Sequence, residues 1–377
     1  ERVYADDKAS FLNNTYWSTD FVGEGPFALR DFVAGSHLVL RANDRYPLGR
    51  PKIDEITVQF IPDPTTLVAN MLAGQVELLV GRGLSLEQGL QLRDQWKEGK
   101  MGTEFPTTWI VIYPQFLNAR PAVVTNLEFR RALLYAADRQ AMVESIQAGI
   151  AKVAHSFLSP NQADYQQIEA RLPHYDYDPR KATQMIEGLG YHKGSDGIYA
   201  DASNQALQLE IHTTNQDVNQ KSLYSVVDNW QRVGIGVDPV TYPPQRATDL
   251  EYLTTFPALY LLRHPNDVRS VRNRHSNQTP LPENNYVGAN LSRYMNPDLD
   301  ALIDRYYATI SKTDRLPLLG DVIYHMADQL NVMGLYYDVN PVLIGNRLLN
   351  VAPATGPGAS IAWNAEQWDA RMTSAES

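Results

Sequence analysis

The segment 207–240 alternates strand and helix patterns, and it constrains the fold more than any other part of the sequence. Residues 207–211 place leucine and isoleucine at every second position, as in a half-buried strand. Residues 217–233 carry apolar side chains at helical spacing, and 235–240 again has the pattern of a strand. Two strands joined by an amphipathic helix predict an α/β unit with its own sheet.

The rest of the chain mixes the same two patterns. A hairpin is expected over 197–212, with its return strand beginning at Leu207. Further strands are predicted at 27–32, 37–42, 53–61, 76–80, 107–113, 256–267 (apolar with a polar end) and 334–339. Helices are predicted after Asp63-Pro64, from Asn126 to a stop at Gly149, over 180–188, from Asn296, and over 315–330.

Composition narrows the class of protein. A chain of 377 residues, 44% of them hydrophobic, is expected to form about two domains. The 33 basic and 43 acidic residues give a net charge of −10 without a basic run, so no nucleic acid partner is expected. The absence of cysteine excludes thiol nucleophiles, zinc–thiolate sites and disulfides. No apolar stretch approaches the ~20 residues of a membrane span.

Signals for catalysis or metal binding are weak, and no cofactor and no metal site are expected. Ser85 lacks the second glycine of a nucleophile elbow. The eight histidines include no His-Glu-x-x-His motif, and Asp176 and Asp178 near His174 are interpreted as a helix cap. A carbohydrate-active hydrolase stays open as an alternative, because the separation of paired carboxylates cannot be inferred from sequence.

Short motifs follow one another in a fixed order along almost the whole chain. They lie at 21–27 (FVGEGPF), 40–46 (LRANDRY), 51–56, 61–63, 72–77, 129–139 (FRRALLYAADR), 177–182 (YDPRKA), 190–197, 233–237 and 294–303. Together they resemble the extracellular solute-binding proteins of family 5, which serve ABC importers of oligopeptides, dipeptides and nickel. The resemblance implies a non-enzymatic protein that binds a peptide or another small organic solute.

This resemblance also implies an architecture. The fold would be α/β, of the periplasmic-binding-protein-like type II, with two lobes of mixed sheets that hinge strands join and that close on a solute. Residues 1–115 with 345–377 would be the remainder of lobe I, part of which is missing, and 116–344 would be lobe II. The chain is then interpreted as an N-terminally truncated copy, working with ABC permease subunits in the periplasm or outside the cell. Its membrane contact would be a lipid anchor outside this chain.

The same module also occurs behind DNA-binding segments in some bacterial regulators. A ligand-sensing domain is therefore the second functional alternative.

Residues 261–267 match a family stretch, of the type Trp-x-x-Asp-Tyr-Pro-Asp-Pro, in which the first aspartate often holds the ammonium of a peptide. Aligning Pro265 with the first proline places Arg263 at that aspartate and His264 at the aromatic residue. A guanidinium favours a carboxylate or phosphate, or pairs internally. Asp267 lies close enough to serve instead.

Aromatic side chains are the remaining candidates, because solute clefts need aromatic walls. Alternation places Trp109 and Tyr113 on one face of a strand. Tyr260 lies on the strand before Arg263, and Tyr16 with Trp17 precedes the Gly-Pro turn at residue 25. Ordinary core packing is the alternative for Trp109 and Tyr113, and covering an exposed core is the alternative for Tyr16 and Trp17.

Overall fold

The computed structural model describes residues 14–17, 20–81, 83–105, 107–353 and 362–371. Its strands are β1 Phe27–Val33, β2 His37–Ala42, β3 Glu55–Gln59, β4 Leu78–Leu79, β5 Gly99–Glu104, β6 Thr108–Pro114, β7 His192–Lys193, β8 Tyr199–Ala200, β9 Gln208–Thr213, β10 Gly236–Thr241, β11 Leu259–Pro265, β12 Met333–Tyr337, β13 Asn340–Gly345, β14 Leu348–Leu349 and β15 Asp369–Ala370. Its α-helices are α1 Pro64–Leu72, α2 Leu86–Gln95, α3 Leu127–Tyr135, α4 Arg139–Ile146, α5 Tyr165–Ile168, α6 Pro179–Gly188, α7 Asp217–Val233, α8 Leu250–Thr254, α9 Pro297–Ala308 and α10 Lys312–Gln329.

The described residues form two compact units. The first runs to Glu104 and resumes at Asn340, and the second is Phe105–Val339. The lobes predicted from the resemblance have different boundaries, at 115/116 and 344/345. Compact units do not identify the halves that move about a hinge, so these lobe boundaries stay a prediction.

A five-stranded mixed sheet lies at the centre of the second unit, with strand order β10-β9-β11-β6-β12. β9 pairs in parallel with both β10 and β11, whereas β6 is antiparallel to both β11 and β12. The helix α7 connects β9 to the parallel strand β10, because parallel neighbours need a crossover connection. The pattern of residues 207–240 therefore predicted this strand–helix–strand arrangement correctly.

The crossover helix α7 shows how sequence determines an element here. Its inward face includes Leu223, Val226 and Trp230, all fully buried, and the indole N–H of Trp230 donates to the carbonyl of Leu133 at 2.9 Å. Gly234 ends the helix with φ = 102°, a left-handed conformation that glycine adopts without a steric penalty. Burial of this apolar face holds α7 against the sheet.

The first unit contains two three-stranded sheets and a two-stranded ladder of β14 with β15. β1, β2 and β3 form an antiparallel meander, and β13 pairs with both β4 and β5. Its core is a separate cluster of buried apolar side chains, comprising Leu67, Met71, Leu84, Leu92, Trp96 and Leu343. The Asp63 side chain caps α1 by accepting from the amide of Thr66 at 2.7 Å, as the Asp-Pro sequence predicts.

Two local predictions differ from the structure. The single helix expected from Asn126 to Gly149 is two helices, because Asp138 caps a new one by accepting from the amide of Ala141 at 2.9 Å. The hairpin expected over 197–212 is reduced to one antiparallel bridge between Ala200 and Ala206, and the residues that follow join the parallel part of the sheet. Within the described residues, we find no helix with the length and apolar character needed to span a bilayer.

Candidate functional site

The register between β6 and β11 decides which candidate residues share a face of the central sheet. Tyr260 lies opposite Tyr113, and His264 lies opposite Trp109. Because side chains alternate along a strand, these four share one face, and Arg263 projects from the other. The candidates therefore form two groups rather than one continuous wall.

The aromatic members of the first group belong to the core of the second unit. Trp109, Tyr113 and Tyr260 are 1%, 0% and 5% exposed. The ring of Trp109 meets that of Phe157 edge to face, with centroids 5.5 Å apart. These contacts show packing, which the sequence left open as the alternative for Trp109 and Tyr113. A direct ligand contact of Trp109, Tyr113 or Tyr260 stays a prediction.

The hydroxyl of Tyr113 lies between the guanidinium of Arg274 and the imidazole of His264. Arg274 Nη2 donates to this oxygen at 3.2 Å, so the hydroxyl proton is available for Nδ1 of His264, which lies 2.9 Å away. Burial raises the pKa of Tyr113, and the Arg274 charge opposes that rise. Arg274 is itself buried, and its Nε and Nη1 have no hydrogen-bond partner among the described residues.

Arg263 lies on the opposite face in a buried ion pair with Asp338. The Asp338 carboxylate also accepts from the Thr108 hydroxyl at 3.1 Å, and the backbone amide of Arg263 donates to Asn219 Oδ1 at 2.8 Å. The side chains of Arg263 and Asp338 are 9% and 4% exposed. The sequence left two roles open for this guanidinium, binding an anionic ligand group or pairing with an acidic residue of the chain. The structure shows the internal pair.

Two neighbouring residues follow β11. Asp267 caps the 3₁₀ helix Val268–Arg274, accepting from the amide of Arg269 at 2.8 Å. Asn266 is fully buried, and neither its side-chain oxygen nor its side-chain nitrogen has a hydrogen-bond partner in the described part of the chain. Its backbone is fixed, because its amide donates to Thr107 and its carbonyl accepts from Gln162 Nε2. A buried side-chain amide without hydrogen-bond partners lowers the stability of the fold, so the Asn266 side chain is suited to bind a ligand or a water molecule.

The last two sequence candidates belong to the first unit. Tyr16 is 42% exposed, and its ring lies 5.8 Å from that of Phe21. Trp17 ends a short 3₁₀ helix, Thr15–Trp17, but its side chain lies outside the described residues. Nothing in these contacts tests a role in binding.

The polar residues share one edge of the central sheet. β9, β10, β11 and β12 all end there and β6 begins there, so Thr108, Arg263, Asn266 and Asp338 are gathered at this edge. Ligands of open α/β sheets bind outside the carboxyl ends of the strands. We call Thr108, Asn219, Arg263, Asn266 and Asp338 the polar edge.

Sequence reasoning singled out Arg263 but not the other four members. Asp338 could have been found as an acidic residue directly after a buried strand. Asn219 and Asn266 carry no sequence signal of their own, because their position depends on how the strands pair.

Comparison with known proteins agrees with this architecture. A family model described as "Bacterial extracellular solute-binding proteins, family 5 Middle" matches residues 4–280. The chain is 26% identical over 311 residues to heme-binding protein A of Haemophilus influenzae, which covers 81% of this chain and 52% of that protein. It is also 26% identical over 265 residues to the oligopeptide-binding protein AppA of Bacillus subtilis, covering 66% of this chain and 47% of AppA.

Solved structures share the fold. NikZ of Campylobacter jejuni, in complex with Ni(L-His), superposes with a TM-score of 0.78 at 19% identity, over 95% of this chain and 70% of that one. AppA of Bacillus subtilis with a nonapeptide gives 0.76 at 19% identity, over 98% and 71%. In sequence, the chain spans about half the length of the curated relatives it matches, 52% of heme-binding protein A and 47% of the AppA sequence. The predicted α/β fold with mixed sheets is confirmed, and the chain belongs to the family 5 bacterial extracellular solute-binding proteins.

Proposed function

We propose that this chain is the solute-binding component of an ABC importer and holds a peptide or another small organic solute at the polar edge. The family assignment supports a binding protein rather than an enzyme. The observation that carries the proposal is the side-chain amide of Asn266 at the carboxyl end of β11, which is buried and has no hydrogen-bond partner among the described residues. That amide can both donate and accept a hydrogen bond.

The charges at the polar edge favour a solute with both signs of charge, or one with neutral polar groups. Arg263 is already compensated by Asp338, so the site has no net charge with which to attract a simple anion. A peptide has an ammonium, a carboxylate and amide groups, and it can satisfy the Asn266 amide while it lies beside the ion pair. Organic solutes with similar groups fit the same description.

The partners and the location follow from the family. The family consists of extracellular solute-binding proteins, so we infer that this chain acts outside the cytoplasmic membrane. We also infer that it delivers its solute to permease subunits of the importer. Attachment through a lipid anchor, hinge closure on the solute and the lobe boundaries remain predictions from the resemblance.

Thermal unfolding with a defined solute panel tests the proposal. The panel contains di- to pentapeptides, dicarboxylates and the nickel–histidine complex. A solute present at 100 times its Kd stabilises the folded form by about 2.7 kcal/mol, which raises Tm by several degrees.

A pair of amide variants provides the control. Asn266→Ala is expected to weaken the binding of that solute at least tenfold, since it removes the amide. Asn273→Ala, on the 3₁₀ helix that follows, is expected to leave binding unchanged. The proposal is wrong if no solute of the panel shifts Tm, or if Asn266→Ala binds as well as the wild type.

A further inference from the structure

Two histidines and an aspartate come together in the second unit, in a part of the chain that the polar edge does not use. His155, His174 and Asp176 each place one potential ligand atom within 4.8 Å of the others. His155 follows Ala154, whose amide donates to Leu335, and the other two flank Tyr175 ahead of α6. We propose that these three side chains bind one divalent transition-metal ion of the zinc type.

The segments that carry the three ligands are fixed by one buried arginine. Arg139 Nη1 donates to the carbonyl of Ala154 at 2.9 Å, and Nη2 donates to the carbonyl of Tyr175. Each ligand is therefore next in sequence to a backbone group that the Arg139 guanidinium holds. Tyr175 adds a second anchor, because it is 5% exposed and its hydroxyl donates to the carbonyl of Ala327 at 3.3 Å. Fixed neighbours reduce the entropy lost when a metal orders its ligands.

The two imidazoles lie side by side, with one nitrogen of each within 4.8 Å of the other, and one ring turns when both bind the same ion. The rings of His155 and His174 are stacked, with centroids 4.0 Å apart and 23° between their planes. Nδ1 of His155 is buried and has no hydrogen-bond partner among the described residues. Two ligand atoms on a tetrahedral zinc lie about 3.4 Å apart. His174 and Asp176 are exposed and can rotate to reach that spacing, and solvent can supply the remaining coordination position.

The carboxylate of Asp176 completes the donor set. Asp178, not Asp176, caps α6 by accepting from the amide of Lys181 at 2.9 Å, so only half of the cap predicted from the sequence is confirmed. The negative charge of Asp176 also interacts with the positive charge of Arg139 and partly offsets its repulsion of a bound cation. Two imidazoles with one carboxylate favour zinc, nickel or cobalt over magnesium or calcium, which prefer oxygen ligands.

Titration calorimetry with zinc chloride on the EDTA-treated, dialysed full chain tests the proposal. The wild type is expected to bind one zinc per chain, with an increase in Tm that EDTA reverses. His174→Ala and Asp176→Asn each remove an exposed ligand and are expected to weaken zinc binding at least tenfold. His192→Ala replaces an exposed histidine elsewhere in the second unit and is expected to bind zinc as the wild type does. Cobalt provides a second readout, because ligation by the cluster gives visible absorption bands that His174→Ala loses.

The proposal is overturned if the wild type binds no zinc, or if His174→Ala and Asp176→Asn keep the wild-type affinity. It does not depend on the proposed solute binding. Zinc binding without a thermal shift from any solute of the panel refutes only the solute site. A thermal shift from a solute without zinc binding refutes only the metal site.

Discussion

An interior strand of the second unit, β6, and an edge strand of the first unit, β3, have opposite environments. All seven residues of β6, Thr108–Pro114, are buried. In β3, Glu55–Gln59, four of the five residues are exposed, and Val58 remains 39% exposed. Both were predicted as strands, so a strand pattern indicates a sheet but does not tell how completely neighbouring elements cover it.

The difference indicates where single side chains matter most for stability. In the second unit, apolar side chains from α9 and α10 pack in the same cluster as Trp109 and Tyr113. In the meander of the first unit and directly after it, Val33, Val58 and Phe60 remain between 38% and 42% exposed. We therefore expect substitutions near β6 to cost far more than substitutions in β3.

The largest effect is expected for Trp109→Ala. This change removes a fully buried indole and its contact with Phe157, and it should lower the free energy of unfolding by about 4 kcal/mol. Urea unfolding followed by circular dichroism measures the loss. A loss below about 1 kcal/mol would show that Trp109 is not a core residue and would favour its alternative role as a cleft wall.

The next effect concerns the buried ion pair. Asp338→Ala leaves the guanidinium of Arg263 buried and uncompensated, at an expected cost of about 3 kcal/mol. The double variant Arg263→Met with Asp338→Ala is expected to recover part of that loss, since no charge remains unpaired. Equal stability of the single and double variants in urea would contradict this account of the pair.

A smaller, pH-dependent effect is expected at Glu77. Arg347 donates to both carboxylate oxygens at 2.7 Å, and these hydrogen bonds lower the pKa of Glu77. A carboxyl whose pKa is lower in the folded than in the unfolded state stabilises the protein above its unfolded pKa, near 4.5. That contribution is lost as the pH falls through the lower folded value.

The pair is more than one third exposed, so Glu77→Gln should cost only about 0.5–1 kcal/mol at pH 7. Unfolding measured from pH 7 to pH 3 should show the wild type and Glu77→Gln converging at the acidic end. A difference that stays constant over this range would exclude the proposed linkage.

The smallest effect is expected for Val58→Ala in β3. Because this side chain is already 39% exposed, its truncation should cost less than about 1 kcal/mol, in contrast to Trp109→Ala. Urea unfolding of both variants in one buffer gives the comparison directly. A cost for Val58→Ala equal to that of Trp109→Ala would show that β3 is covered as completely as β6.

Local sequence patterns predicted most of the secondary structure. The helix predicted at 217–233 has those bounds in the structure, and the strands predicted near 37–42 and 107–113 are within one residue. Apolar periodicity and capping residues determine these elements, and both act within a few residues. The break at Asp138 was missed because two consecutive helices continue one apolar pattern.

The candidate site was less predictable, because it depends on contacts between distant residues. Arg263 was singled out, but its partner Asp338 directly follows another strand, β12, and only the β11-β6-β12 order brings the two together. The same limit applies to His155 and His174, which stack although 19 residues separate them in sequence. Sequence spacing alone carries no information about such contacts.

Hydrogen–deuterium exchange tests the central claim, that the polar edge holds the solute, most directly. Exchange is measured on the full chain with and without the solute of the panel that gives the largest thermal shift. The account predicts that added protection concentrates around Asn266 and Asp338 and is lost in Asn266→Ala. Protection confined to β1–β3, or binding with no change in exchange near Asn266, would contradict the account.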